Sequence, residues 1–554
     1  MKSVFLLVDI GFTGYDNLNS SKAETPLRQP ARYGAECSVS VHREACYCSQ
    51  NCAFCRAMKN NICFSKNGGK RFMNAKEKVK KEPTLLLALT PVVLTVIILI
   101  FSVSVLKVDV QVPLILGTCI TAFIAIVFLG YTWQDLEDGA VESLKSIMQA
   151  VLLLIIIGAT IGTWIVGGVV PALVYYGLQI LTPAFFLVAC MILCSIVSLA
   201  AGGSWATVGT IGIALVGIAK GLDIPVGLAG GAIISGAYFG DKMSPLSDTT
   251  NLSAAIAGAK LTDHIKHMMY TTAIAYGISI VGFGIIGFRF AGQELDHGQI
   301  NGILDALASN YNITPWLLLV PVIVIVLIAL KVPAIPGLFA GTVLGMLCGV
   351  IFQHQDLSIV FNAVQNGVVV ETGHAMVDEL LTRGGLMSMM WTVSLIICAL
   401  SFGGILECTG MMSVIANKLL EFAKSTGSLV LVTIISALFC NVLLGDHCIA
   451  IAIPGRMFKD EYRKRGLAPR NLSRVLEDAG TVTSPLIPWN TCGATMSGFL
   501  GVPTLTYLPY CFFNILCPVI SAIFGFTGLT IMKLEDDPSS DQYVEKKGKH
   551  LVKE

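Results

Sequence analysis

Long apolar blocks separated by short polar segments follow one another along most of this chain. Several blocks, among them 85–106, 146–166, 268–288 and 504–531, have the roughly 20 residues that an apolar helix needs to cross the hydrocarbon of a bilayer. Lipid offers no hydrogen-bond partner to a bare amide, so these blocks must be helical. The pattern predicts an all-α polytopic membrane protein with about ten full spans.

Composition supports the same class. Of the 554 residues, 54% are hydrophobic and only 13% are charged, whereas a soluble domain has about 25% charged residues. The charges lie mostly between the apolar blocks. The net charge of +1 gives no sign of a nucleic-acid partner. A large soluble protein is excluded because the apolar blocks recur too regularly.

Two segments predict helical hairpins, each with two short apolar arms that meet at a glycine-rich or polar tip. The first covers 183–219, with the tip Gly202-Gly203-Ser204. The second covers 427–458, with the tip Gly445-Asp446-His447. Glycine allows the backbone of a tip to approach its neighbours closely.

The chain also repeats itself. The segment GDKMSPLSDTTNLSAA at 240–255 matches GTVTSPLIPWNTCGAT at 480–495, with Ser-Pro-Leu shared at an offset of 240 residues. Upstream, LIIIGATIG at 154–162 resembles LIICALSFG at 395–403, at an offset of 241. Matches in the same order at nearly the same offset indicate two related halves.

Lysine and arginine collect on the cytoplasmic side of membrane proteins. The lysines of 73–83 place the start of the first span inside, and six basic residues place the loop 459–474 inside as well. The counterpart of that loop at 220–224 has one lysine and one aspartate, which indicates the outside. The acids of 354–383 likewise indicate the outside, whereas the counterpart of that segment, 132–145, is predicted inside. Equivalent loops on opposite sides predict an inverted-topology repeat with its substrate site near mid-membrane.

These observations divide the chain into six segments. Residues 1–72 are Cys-rich and are expected to be a disordered or spurious extension that transport does not need. Although Cys46, Cys48, Cys52 and Cys55 lie close together, no second pair follows at the spacing of a zinc module. The remaining segments are a basic cytoplasmic collar, the first transmembrane repeat, an external linker, the second repeat and a charged cytoplasmic tail: 73–83, 84–291, 292–312, 313–531 and 532–554.

The strongest local signal is 235–251, SGAYFGDKMSPLSDTTN, which is polar although apolar helices flank it. Pro245 disfavours a continuous helix, and an unwound backbone inside a membrane requires protein or a water-filled cavity beside it. Asp241 and Asp248 are the predicted sites of proton and cation coupling, because an acid in a site of low dielectric constant holds either a proton or a cation. Two alternatives are an ordinary polar loop and a pairing of Asp241 with Lys242.

Carbonyl, hydroxyl and carboxylate oxygens favour a hard cation such as sodium over a soft transition metal. The predicted ligands of the cation or substrate lie at the first tip and at both breaks: Ser204, Thr207, Ser244, Ser247, Thr249, Asn251, Thr481, Ser484, Asn490 and Thr491. Secondary candidates are Asp446, His447, Glu477 and Asp478, of which the Asp446–His447 pair can relay protons or simply be satisfied locally. No cofactor is predicted.

These residues carry a family resemblance. The runs GGSWATVGTIGIALVGIAKG at 202–221 and GAIISGAYFGDKMSPLSDTTNL at 231–252 closely resemble sodium/proton antiporters of the NhaC type. SFGGILECTG at 401–410 and EDAGTVTSPLIPWNTCGA at 477–494 resemble the matching second-half motifs. The resemblance implies a multi-pass exchanger of sodium for protons in a bacterial inner membrane, with both termini cytoplasmic by the charge pattern.

Other functions stay open at this point. The same family contains sodium-linked malate/lactate antiporters, so exchange of a small carboxylic acid is the main alternative. A membrane-embedded protease is remote, because the Gly-Asp pairs at 240–241 and 445–446 lack the glycine two residues earlier and no H-E-x-x-H motif occurs. Passive conduction by a channel and assembly as a homodimer are left open.

Overall fold

The computed structural model describes residues 80–106, 108–290, 297–330 and 332–537. These ranges form helices joined by turns and contain no β-strand. The predicted extension 1–72 lies outside the described residues, as do most of the collar and most of the tail. The fold below is therefore that of the two predicted repeats.

The first half begins at a helix capped by the Thr84 hydroxyl and ends in the longest helix of the described chain. Its helices are Leu85–Phe101, Gln111–Leu129, Trp133–Ser146, Met148–Val166, Val169–Ile180, Pro183–Ala201, Ser204–Gly221, Val226–Met243, Asp248–Ala257 and Leu261–Phe288. The helix His297–Asn310 then leads to the second half.

The second half has helices at Leu319–Ala329, Ala334–Ile351, Leu357–Asn366, Ala375–Leu381, Leu386–Cys408, Met411–Leu420, Thr426–Leu444, His447–Lys464, Pro469–Leu476, Thr491–Leu500, Thr504–Tyr507 and Phe512–Thr527. The helix that starts at Pro469 continues into a π-helical turn, Glu477–Thr481, and a 3-10 turn, Ser484–Leu486.

Eight helices of the described residues are long and apolar enough to cross a membrane, or up to ten if each of two bent helix pairs is one span. Three arms of the two hairpins are among the eight. Large apolar side chains such as Ile285 and Phe288 are about 60% exposed, as expected of surfaces that face lipid rather than water. The prediction of an all-α polytopic membrane protein is confirmed.

The two halves repeat in structure. Pro183–Ala201 with Ser204–Gly221 forms the first hairpin, and Thr426–Leu444 with His447–Lys464 forms the second. Each hairpin is followed by a broken helix, and every one of these helices begins 243 residues after its counterpart: Pro183 and Thr426, Ser204 and His447, Val226 and Pro469, Asp248 and Thr491.

This register corrects the offset of 240 taken from the shared Ser-Pro-Leu. In the first half, Ser244–Leu246 is the break itself, since the helix ends at Met243 and restarts at Asp248. In the second half, Ser484–Leu486 forms the 3-10 turn at the end of the preceding helix, and the helix restarts only at Thr491. The structural counterpart of Pro245 is therefore Pro488, because each proline lies 19 residues after the start of its helix, at Val226 and Pro469.

The residues that start and stop these helices repeat in the same register. Gly202 and Gly445 both end a first hairpin arm, at left-handed φ values of 72° and 66°. Ser247 and Asn490 cap the helices that follow the two breaks. Each cap satisfies an amide that would otherwise be unpaired. Local backbone chemistry thus produces the same outline twice.

The halves interlock through a reciprocal contact. A Cβ added to Gly455, in the second hairpin, would lie 2.5 Å from the side chain of Ile256 in the first broken helix. A Cβ added to the equivalent Gly212, in the first hairpin, would lie 3.1 Å from the side chain of Leu500 in the second broken helix. Each broken helix therefore packs against the hairpin of the other half.

Contacts between polar segments agree with the sides predicted from charge. Lys80 of the collar bonds Asp135 at 2.9 Å, and both were predicted inside; this bond, with help from Thr132, lowers the pKa of Asp135 to about 2. Lys220 bonds Glu379 at 2.7 Å, and both were predicted outside. The opposite orientation of the halves remains a prediction that these contacts support.

Candidate functional site

A cavity of about 460 Å³ lies where the two hairpin tips meet the two helix breaks. Its polar lining residues come from both halves: Ser146, Gln149, Ser204, Trp205, Tyr238, Asp241, Asp248, Thr249, Thr481, Asp446, His447, Cys448 and Cys492. The interior of a membrane protein is mostly apolar. A polar cavity between the repeats is therefore a candidate transport site.

Asp241 is a buried acid of the lining, with 5% of its surface exposed. Its Oδ2 accepts hydrogen bonds from the backbone amide and the hydroxyl of Ser204, at 3.0 and 2.7 Å. Its Oδ1 is buried and accepts no hydrogen bond from the described residues. The first hairpin tip thus holds one oxygen of this carboxylate and leaves the other available.

Asp248 is the second predicted coupling acid. It starts the helix after the first break, lines the cavity and is exposed. Its Oδ1 accepts a hydrogen bond from the amide of Thr249 at 3.0 Å. Both predicted coupling residues therefore lie at one cavity, one buried and one accessible.

Lys242 does not pair with Asp241, as one interpretation of the sequence allowed. Its ammonium group bonds the carboxylate of Asp478, and both side chains are fully buried. Thr271 donates a further hydrogen bond to Asp478 Oδ1 at 3.2 Å. This ion pair joins the two broken helices, and neither member lines the cavity.

Glu477 also connects the halves. Its carboxylate accepts hydrogen bonds from the hydroxyls of Thr249 at 3.1 Å and Ser253 at 2.6 Å. It is fully buried and does not line the cavity. Thr249, which does line the cavity, uses its hydroxyl to bond Glu477 and so ties the first break to the second half.

The second tip is organised by Asp446, whose Oδ1 caps the following helix by accepting from the amides of Cys448 and Ile449 at 2.9 and 3.1 Å. Its Oδ2 accepts from the hydroxyl of Thr491 at 3.3 Å. His447 beside it lies with Nδ1 3.7 Å from Asp446 Oδ2. Both oxygens of Asp446 are therefore engaged.

Several predicted ligands instead bond nearby groups and do not line the cavity. Thr207 donates to Gly203, Ser244 to Leu199, Asn251 to Pro245 and Ser247, Ser484 to Thr481, and Asn490 to Asn441, while Ser247 and Asn490 also act as caps. These bonds satisfy carbonyls and amides that the breaks expose. In this arrangement the residues hold the breaks in shape.

Thr481 differs from that group. Its hydroxyl is buried, lines the cavity and has no hydrogen-bond partner among the described residues. A hydroxyl oxygen is a hard donor of the kind that a sodium ion prefers. Thr481 thus brings one such oxygen from the second half to the cavity that contains Asp241.

The polar lining residues that sequence reasoning missed include Trp205, Tyr238, Cys448 and Cys492. In the sequence, Trp205 and Tyr238 look like ordinary aromatic residues of apolar helices. The two cysteines look like small hydrophobic residues. Their only signal was adjacency to predicted site residues. Their position depends on packing between halves, which no local pattern contains.

The cavity lining is predominantly acidic. Among its described lining residues, Asp241, Asp248 and Asp446 are acidic, His447 is titratable, and neither lysine nor arginine occurs. Such a lining attracts a cation and disfavours an anion.

A sequence model of the Na+/H+ antiporter family matches residues 236–529. The Na+/H+ antiporter NhaC of Alkalihalophilus pseudofirmus is 39% identical over 79% of this chain and 94% of its own length. The malate-2H+/Na+-lactate antiporter of Bacillus subtilis is 39% identical over 75% and 90%. The arginine/ornithine antiporter ArcD of Halobacterium salinarum is 38% identical over 84% and 96%. With this identity across nearly the whole length of its relatives, the chain belongs to the Na+/H+ antiporter family.

Proposed function

We propose that this protein exchanges sodium ions for protons across a bacterial cytoplasmic membrane, as a secondary active transporter with both termini inside. The observation that carries the proposal is the single cavity in which both hairpin tips and both helix breaks meet, with three aspartates and no described lysine or arginine. The chain's similarity to the NhaC antiporters supports the same activity.

Asp241 is the proposed site where the proton and the cation compete. Burial favours the protonated acid over a carboxylate without a counter-charge. A cation that displaces the proton then compensates the negative charge of the carboxylate. The free Oδ1 of Asp241 and the unpartnered hydroxyl of Thr481 are oxygens without other bonds in the described residues. Asp248, exposed at the same cavity, is the proposed second acid.

Exchange also requires that the site open to one side at a time. The two hairpins and broken helices interlock reciprocally, as Gly212 with Leu500 and Gly455 with Ile256 show. Related transporters with inverted repeats alternate access by moving one bundle against the other around a fixed site. We infer that the hairpin tips, which contact the breaks directly, are the parts that move to open the cavity to one side.

Exchange of an organic acid is the weaker alternative. A malate or lactate anion needs positive partners such as Lys, Arg or a free helix N-terminus, and the described lining offers three acids instead. A cavity of about 460 Å³ is nevertheless large for a sodium ion alone. Small organic ions therefore belong in the test as separate arms.

The test uses the purified full chain in proteoliposomes with an acidic interior and a fluorescent pH indicator. Adding sodium outside, without any organic solute, is expected to collapse the pH gradient, while potassium or choline should not. Malate, lactate and arginine are then added singly, once in sodium-free medium and once together with sodium. A gradient that responds to one of these and not to sodium alone would overturn the proposal.

A further inference from the structure

The second hairpin tip carries chemistry that sodium exchange does not use. Asp446, His447 and Cys448 each offer one ligand atom, and these atoms lie within 4.8 Å of one another. Among the described residues, this is the group of His, Cys and acidic side chains that could hold a metal ion. An imidazole and a thiolate are ligands for a borderline-soft ion such as Zn²⁺ and not for sodium.

The tip is built to hold these ligands in place. Cys448 Sγ lies 3.5 Å from His447 Nε2. On the other side of the ring, Cys492 Sγ lies 3.4 Å from Nδ1, and the Trp205 ring packs 6.2 Å from the imidazole, centroid to centroid. A partner on the second ring nitrogen orients a metal-binding histidine and commonly changes affinity about 10- to 100-fold.

The site is also accessible. Asp446, His447 and Cys448 all line the cavity, so an ion inside the cavity can reach them. Three protein ligands leave a fourth tetrahedral position open to water. The equivalent residues of the first tip are Gly203, Ser204 and Trp205, which cannot form such a site.

We propose that the second hairpin tip binds one Zn²⁺ or Cd²⁺ ion through Asp446, His447 and Cys448, and that the bound ion blocks transport. Binding releases the proton of the Cys448 thiol, so the ion adds one net positive charge to the cavity that Asp241 and Asp248 share, where it opposes entry of another cation. It would also tie the tip to one conformation. Binding does not depend on the proposed function, whereas the block rests on it.

The binding test is a titration of the purified full chain, under reducing conditions, with Zn²⁺ by calorimetry and with Cd²⁺ by ultraviolet absorption of the metal–thiolate bond. The segment 1–72 contains six further cysteines. The informative quantity is therefore the difference in bound metal between the unmodified chain and each variant. Cys448→Ser and His447→Gln are each expected to remove one bound equivalent. Cys119→Ser, at an exposed thiol of another helix, should keep it.

Variants that titrate like the unmodified chain would overturn the site. Cys492→Ser is expected to weaken binding about tenfold or more without removing the equivalent, because this thiol touches only the far ring nitrogen.

The transport test measures sodium-driven collapse of the pH gradient at increasing Zn²⁺, relative to each variant's own metal-free rate. We expect the half-inhibitory concentration to rise about tenfold or more in Cys448→Ser and to stay unchanged in Cys119→Ser. Equal inhibition of both variants would overturn the block. Absence of exchange in the unmodified chain would contradict the proposed function, and the binding titration would still decide the site.

Discussion

In each half, the hairpin tip contacts the broken helix of the same half. The two contacts have the same backbone outline, but the elements that supply the acid and the hydroxyl are exchanged between them. In the first half the tip supplies the hydroxyl, from Ser204, and the helix before the break supplies the acid, Asp241, at 2.7 Å. In the second half the helix after the break supplies the hydroxyl, from Thr491, and the tip supplies the acid, Asp446, at 3.3 Å. In both halves the contact is a hydrogen bond from a hydroxyl to a carboxylate.

The reversal separates two roles. Asp446 uses one oxygen as a helix cap and the other to accept from Thr491, so both of its oxygens have a protein partner. Asp241 keeps one buried oxygen without a partner in the described residues. The comparison teaches that a shared backbone outline does not imply a shared role: in the proposed mechanism the first contact serves exchange, and the second holds the tip in shape.

The largest expected effect comes from Asp241→Asn. An amide cannot release a proton at physiological pH, so sodium-dependent proton movement in proteoliposomes should fall to background while the protein still inserts. Asp248→Asn is expected to do the same. Glu142→Gln, a matched change at an exposed pair with Lys145, should leave exchange intact. Near-normal exchange in both aspartate variants would remove them from the mechanism.

The next largest effect concerns the link between halves. Lys242→Met leaves the buried Asp478 without its counter-charge, which costs about 3–5 kcal/mol when one member of a buried pair is removed. Thermal unfolding in detergent should show a clear loss. The double variant Lys242→Met, Asp478→Leu is expected to recover most of it, because the unpaired charge is gone. A double variant no more stable than the single one would show that the ion pair itself is required.

A smaller effect is expected from a substitution that tests the close contact between Gly202 and Leu246 at the first tip. Gly202 and Gly410 both have a φ of 72°, so replacing either with alanine carries the same backbone strain, about 1–3 kcal/mol. A Cβ at Gly202 would lie 2.6 Å from Leu246 Cβ, whereas nothing lies within 4 Å at Gly410. Gly202→Ala should therefore lower the melting temperature more than Gly410→Ala. Equal losses would mean that the tip accommodates the added methyl group.

The smallest effect tests the structural role of the second tip. Asp446→Asn keeps a good helix cap and should retain much of the exchange rate and nearly all stability, whereas Asp446→Ala should lose about 1 kcal/mol through loss of the cap. Both quantities come from the same proteoliposome and unfolding measurements. If Asp446→Asn abolished exchange as completely as Asp241→Asn, the division of roles between the halves would be wrong.

Much of the site could be predicted because its residues cluster locally. The segment around Asp241 and Asp248 is polar within an apolar stretch, and Pro245 marks the break, so the helix break and the two acids that line the cavity could be predicted. The tips at Gly202 and Gly445 were readable because a glycine ends each arm. The register of the repeat was misread by one turn, because Ser-Pro-Leu occupies a break in one half and a helix end in the other.

What the sequence determined by itself was the class of protein, the hairpins, the breaks and the existence of two halves, since each follows from residues close together in the chain. Only the tertiary structure decided that Lys242 pairs with Asp478 rather than Asp241, and that Cys492 and Trp205 flank His447. These neighbours lie between 45 and 242 residues apart in the chain. Their contacts depend on how the two halves interlock, which no local pattern specifies.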